Sequence, residues 1–413
     1  MKSNSLRNAL ITLLTAATIL LCAGCALPKS PEGTGSGEGV SMSGTDMPDD
    51  TAAQTVGETA RVTVGESGPT ADSVTPPETD GGQAPPEAPD EARDLVELRD
   101  LLRSAKERGE LSVRFRYTGA VPFEATDISR ITCAMFVSYS YIGDDYSLEM
   151  TEYPGDRMAD AYRTGDRSSL SEEESRLLDS AVSAVDEIKR SRTDAYSIEL
   201  AIFEYITERV TYHSPTVIIT DKNNPPRHLT AVGALADGRA NCQGYADAFY
   251  LLGSIAGLEV SRMNVIDGNG MGHIVNTVRL DGAWYVVDAT YGDAEPTSYR
   301  LFNAGRDMCG EYTWGAELEY YPIADESDAH FYYYREEGRA FSSLEALCDR
   351  IVDGLGRGES TFSLMLKGRT ASYTDLTAAL SSALADTGKS RSYSVGYVNS
   401  ASHTYYTVVF AQE

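Results

Sequence analysis

Asp281-Gly282 stands between two strand-like runs, His273 to Leu280 and Ala283 to Asp288. A two-residue Asp-Gly connection is a favoured turn of a right-twisted hairpin, because both central residues take positive φ. That turn sets a register. Leu280 faces Ala283, and counting outward places Val275 opposite Asp288 and His273 opposite Thr290. Opposed residues share a face of the sheet and alternate residues stay on it, so His273 and Asp288 become diagonal neighbours, about 7–8 Å apart in backbone terms. A slip of one residue would put them on opposite faces.

Upstream, Gly238 to Asn241 reads as a turn and Gln243 through Ala256 as a helix closed by Gly257, with Ala246, Phe249, Tyr250 and Leu252 on its apolar side. Cys242 falls at the start of this helix, where unpaired backbone N–H groups and the positive end of the dipole favour thiolate over thiol. A carboxylate at Asp288 would hold the His273 imidazole in one tautomer and orientation, leaving the other ring nitrogen for the thiol. Taken singly, each residue has an ordinary reading. Buried free cysteines mostly pack, and a histidine or aspartate at a strand end is a common polar edge. The joint geometry is what singles them out. An oxyanion hole also needs fixed donors; the backbone N–H of Cys242 supplies one, and the side chain of Gln243 or of a residue near Tyr212 is the candidate for another.

The segments CQGYADAF around Cys242, GHIVNTV around His273 and LDGAWYVVDATYGD around Asp288 resemble the transglutaminase-like superfamily over roughly Ala195 to Tyr320. The resemblance implies an α+β, papain-like core in which a helix bearing the cysteine packs on an antiparallel sheet bearing the histidine and aspartate. It further implies that Cys242 is the nucleophile, His273 the general base and then acid, and Asp288 its orienter. Two positions depart from the family pattern: Ile274-Val275 stands where Ala-Trp is common, and Tyr291 stands where Trp is common. Both bear on the shape of the pocket and on activity.

The chain has 413 residues, and no Phe, Trp or Tyr precedes Phe115. Residues 26–91 are Gly, Ser, Thr, Pro, Glu and Asp in the main, a composition that cannot bury enough apolar surface to offset ordering entropy; it reads as a disordered acidic tether. Before it, Lys2 and Arg7 precede an apolar run from Ala9 to Leu21, which reads as a secretory signal over residues 1–25. Leu21 to Cys25 resembles the bacterial lipoprotein box, with Cys22 where an aliphatic residue is commonest. The resemblance implies lipidation at Cys25 and a place on the extracytoplasmic face of a bacterial membrane.

Two small α/β modules are expected to flank the centre, residues 92–167 and 336–413, with residues 168–335 between them. In the first, Leu95, Leu98, Leu101 and Leu102 have helical spacing before Gly109, and Val113, Phe115 and Tyr117 alternate. In the second, Leu344, Leu347 and Ile351 precede Gly358, and Phe362, Leu364 and Leu366 alternate. Divergent repetition and chance recurrence of a helix-strand pattern both account for this likeness. Between them, Ser171 to Glu174 is a capping box for a helix to about Arg190, and a further helix runs from Asp194 to about Tyr212.

A formal net charge of -27 and the absence of a basic cluster argue against nucleic acid as a partner. Cys133, Cys309 and Cys348 show no paired spacing, so neither zinc nor any other metal is expected, and no cofactor. The expected partner is a peptide or protein substrate, cell-wall associated or free, with the membrane reached only through the lipid anchor. Water as acceptor would make the protein a peptidase or deamidase, and an amine would make it a transglutaminase; hydrolysis is the favoured reading. The competing class is a non-catalytic surface binding module on the same scaffold.

Overall fold

The computed structural model describes residues 90–123, 125–215, 221–310, 312–314, 323–325, 332–368, 371–386, 392–400 and 403–411. The expected signal, Cys25 and the tether up to residue 89 lie outside the described residues. Tyr320, Tyr321, His330 and Phe331 do as well.

The first module comprises strand β1 (Asp90–Ala92), helix α1 (Leu95–Glu107), β2 (Ser112–Tyr117), α2 (Ala125–Thr132), β3 (Phe136–Ile142) and β4 (Asp145–Thr151). Asp94 caps α1 by accepting from the Glu97 N–H, and Leu98 and Leu102 face inward. Along β2, Val113, Phe115 and Tyr117 are buried while their neighbours are exposed, the alternation of a sheet with one face on a core. The strands lie in the order β1-β2-β4-β3, with β1 parallel to β2 and the other pairs antiparallel. Asp90 and Glu91 therefore belong to the sheet and not to the tether, because they pair with Phe115 and Arg116.

The centre begins with α3 (Pro154–Thr164), α4 (Glu172–Ser191) and α5 (Ala195–Thr207). Ser171 and Glu174 make the reciprocal capping box at the head of α4. Helix α5 stops well short of Tyr212. The β-branched pair Val210-Thr211 leads out of it into β5 (Thr211–Tyr212), which pairs in parallel with β6 (Arg239–Ala240). Between these strands lies α6 (Ala231–Asp237), and after them α7 (Cys242–Ala256). Helix α7 is buried along most of its length, with α3, α4, α5 and α6 around it. On its other side lies an antiparallel sheet of β7 (Glu259–Ile266), β8 (Gly272–Leu280) and β9 (Ala283–Val287), with β8 in the middle. Phe249 and Leu252 of the helix meet Val275 and Val278 of β8 in one core. Two short helices follow, α8 (Ala289–Gly292) and α9 (Tyr333–Glu336).

The last module comprises β10 (Ala340–Phe341), α10 (Leu344–Gly356), β11 (Thr361–Lys367), α11 (Tyr373–Asp386), β12 (Tyr393–Asn399) and β13 (His403–Phe410). Its strand order, β10-β11-β13-β12, with a parallel first pair and antiparallel others, repeats the topology of the first module element for element. The two differ in how the second strand is buried. In β11 residues Phe362 to Leu366 are all buried, because Ser363 and Met365 turn toward the centre: the Ser363 hydroxyl hydrogen-bonds Tyr334 at 3.0 Å, and Met365 joins the central core. No helix among the described residues is long and apolar enough to cross a membrane.

Candidate active site

Asn241 closes the turn before α7, and its side-chain oxygen accepts from the N–H groups of Gln243 (3.0 Å) and Gly244 (3.3 Å). This cap starts the helix one residue later and puts Cys242 at its first position. Gly244 lets the helix sit tightly against the preceding loop, since a Cβ there would come within 2.7 Å of both the His228 carbonyl oxygen and the Ala240 Cβ. The Cys242 side chain is buried among Met135, Phe136, Tyr153, Leu229, Ala246 and Ile274. Cys133, Cys242, Cys309 and Cys348 are all buried, and none is in a disulfide.

The hairpin forms on Asp281 (φ 47) and Gly282 (φ 88), with Leu280 opposite Ala283. The ladder ends at the pair Asn276 and Val287, so Asp288 is not a strand residue; it is the N-cap of α8 and accepts the Tyr291 N–H at 2.9 Å. Thr290 correspondingly lies in α8 and not opposite His273. The two side chains meet nonetheless: His273 Nε2 and Asp288 Oδ2 are 2.9 Å apart, both residues buried. This contact is made through Nε2 of the imidazole.

Tyr312 is a member of the site that sequence reasoning missed. Its hydroxyl donates to Asp288 Oδ2 at 2.5 Å, and its ring lies 5.5 Å from that of His273. Burial works against a charge on Asp288, but the His273 ring, the Tyr312 hydroxyl and the Tyr291 N–H outweigh it and hold the carboxyl below its ordinary range. An ionised Asp288 in turn favours the charged form of the imidazole beside it.

Cys242 and His273 line one cavity of about 100 Å³. Its other wall comes from the first module, from Ser129 and Arg130 of α2 and from Met135, Phe136 and Val137. Cys133 (φ 45) makes the bend that brings this wall in, and Lys106 fixes it by donating to the Thr132 carbonyl at 2.8 Å. Gln243, the candidate oxyanion donor, also lines the cavity, and its Nε2 donates to the Tyr153 hydroxyl oxygen at 3.2 Å. His213 and His228 stack edge-on at 5.9 Å, and neither lines the cavity.

The two departures from the family pattern have different settings. Ile274 belongs to the buried cluster around Cys242, while Val275 belongs to the central core. The Tyr291 hydroxyl accepts from Arg300 Nε at 3.0 Å, and the guanidinium lies 4.3 Å from the centre of its ring.

Residues 182–289, which carry α7, the hairpin and Asp288, match the core of the transglutaminase-like superfamily. The chain contains a transglutaminase-like domain. Among solved structures, a transglutaminase is similar at 12% identity, with 62% of this chain and 74% of that one covered and a TM-score of 0.28. A candidate cysteine protease from Cytophaga hutchinsonii is similar at 16% identity, with 37% and 61% covered and a TM-score of 0.24. The periplasmic domain of TgpA from Pseudomonas aeruginosa is similar at 14% identity, with 36% and 54% covered and a TM-score of 0.24. No curated protein matches the chain.

Proposed function

We propose that this transglutaminase-like protein is a thiol-dependent amide hydrolase, a peptidase or deamidase, with Cys242 as nucleophile, His273 as general base and then acid, and Asp288 as its orienter. The observation that carries this reading is the Asp288 clamp on His273 Nε2, made in a cavity that Cys242 shares. A surface module that only bound a partner would have no use for a buried carboxylate clamped on an imidazole beside a buried thiol.

In this reading Cys242 loses its proton to His273, and the sulfur attacks the carbonyl carbon of a peptide or glutamine amide. Collapse of the tetrahedral species expels the amine, which leaves with the proton from His273, and a thioester remains on Cys242. Water, activated by the same imidazole, then releases the acid. Hydrolysis is proposed over transfer to an amine by family analogy, and apolar Met135, Phe136 and Ile274 line the cavity beside Cys242. Attachment through Cys25 at the extracytoplasmic face of a membrane completes the proposal, supported by the basic residues, apolar run and small residues that precede that cysteine.

Trapping with a thiol-reactive electrophile tests the assignment. Wild type is expected to label at Cys242 far faster than at its other cysteines; equal labelling of Cys242→Ala would sink it. The acyl product formed from glutamine peptides in the presence of a primary amine, free acid or substituted amide, separates hydrolysis from transfer, because ammonia leaves in both.

A further inference from the structure

The oxyanion that forms on attack by Cys242 needs two fixed donors, and the helix start supplies one backbone N–H. Gln243 is a poor second donor in this arrangement. Its backbone N–H is taken by Asn241 Oδ1, and its amide Nε2 points at the Tyr153 oxygen. Tyr153 is placed differently. It is 1% exposed, belongs to the side-chain cluster around Cys242 and lines the same cavity. Its oxygen accepts from Gln243 Nε2 at 3.2 Å.

The ring is held on several sides. Its backbone N–H donates to Asp156 Oδ2 at 3.2 Å, and the Arg262 guanidinium lies 4.4 Å from the ring centre. Arg262 is itself fixed by Asp156 and Asp247, each of its terminal nitrogens on a separate carboxylate. A cation over the face of a phenol draws electron density from it and strengthens its O–H as a donor. Burial, against the pull of Arg262, keeps the hydroxyl protonated by moving its ionisation well above the ordinary range. A donor of this kind is set before the reaction begins and undergoes no reorganisation during it.

We propose that the Tyr153 hydroxyl is the second oxyanion donor of this site, oriented by Gln243. The inference rests on Cys242 being the nucleophile. In the step concerned, the sulfur–carbon bond forms and the carbonyl π pair moves onto oxygen. The Tyr153 O–H and the Cys242 N–H donate hydrogen bonds to that oxygen, and no proton leaves Tyr153. On collapse the pair returns and the amine departs with the proton from His273.

The test compares two reactions of the full chain. Acylation by a p-nitrophenyl ester, read as a burst of p-nitrophenolate, passes through an oxyanion; alkylation by iodoacetamide does not. Tyr153→Phe keeps the ring and its packing under Arg262 and deletes only the hydroxyl. The expected result is an acylation rate lowered about 10²-fold with alkylation within about twofold of wild type. Acylation within about threefold of wild type overturns the proposal, as does a parallel loss of both reactions, which marks Tyr153 as structural. A wild type that is alkylated at Cys242 no faster than at its other cysteines overturns the nucleophile assignment instead, and the proposal falls with it.

Discussion

Asn276, on the strand that carries His273, donates from Nδ2 to the backbone carbonyl of Ala246, on the helix that carries Cys242, at 3.0 Å. The same nitrogen reaches the Ser261 carbonyl at 3.2 Å, so one buried amide ties α7, β8 and β7 together. Helix and sheet also meet through apolar side chains, which attract without fixing a direction. This bond and the buried Arg262–Asp247 ion pair between β7 and α7 supply the direction. Asn276→Leu should lower stability by about 1–3 kcal/mol, because it strands buried carbonyls. It should slow Cys242 acylation by more than the same change in stability does at a distant site. Urea denaturation and ester acylation measure the two effects.

Asp288→Asn keeps the size of the side chain and removes its charge. Acylation is expected to fall on the order of 10²–10⁴-fold, as the imidazole loses the group that orients it and stabilises its protonated form. The pH dependence has a definite sign. The folded carboxyl ionises below its ordinary value of 3.8, so its stabilising contribution is present above about pH 4 and is lost as pH falls through the folded value. The stability gap between wild type and Asp288→Asn should therefore be wide at pH 7 and close under acid. A gap that widens under acid would contradict the ionised Asp288.

Glu199 behaves oppositely. It lies fully buried on α5 with Asn303 Nδ2 donating to its Oε2 at 2.9 Å, and burial pushes its carboxyl up to about 8, the Asn303 bond opposing. A raised carboxyl favours folding fully below its unfolded value and progressively less as pH rises toward the folded one. Wild type should lose stability between about pH 5 and pH 8, by at most about 1.4 kcal/mol per pH unit from this group. Glu199→Gln retains the acceptor for Asn303 and should flatten the profile. Thermal melts of both proteins across that range decide it.

Arg262→Met removes the cation that two buried carboxylates share. Asp156 and Asp247 remain, both buried, and the loss should be about 3–5 kcal/mol. Adding Asp156→Asn to the variant should recover part of that loss; denaturant midpoints of the single and double variants report it.

The elements that carry strong local signals were legible in the sequence. The Asp281-Gly282 turn set the register of β8 against β9, and the capping box at Ser171 begins α4 as its chemistry requires. What was not legible depends on contacts between distant residues. Tyr312 and Tyr153 reach the site from loops and a helix cap with no spacing relation to Cys242 or His273. The role of Asp288 as a helix cap had a local sign, an aspartate three residues before a free N–H, but the strand pattern leading into it hid that sign. The end of α5 before Tyr212 was hidden by the apolar stripe that continues past it. Continuous burial of β11 follows from its two-sided packing, which an alternating pattern in Phe362, Leu364 and Leu366 does not reveal.

The cavity wall formed by Met135, Phe136 and Val137 has a consequence for how such a protein can change over generations. Under the proposed function, selection of what enters and chemistry on what has entered fall to separate lengths of chain that line one cavity. Substitutions in the wall can alter preference while the thiol, the imidazole and its carboxylate stay where they are. The matching module at the other end shares this topology and packs Met365 and Tyr405 into the central core. Two modules of one topology thus stand under different constraints, one lining the cavity and one packed on the central core.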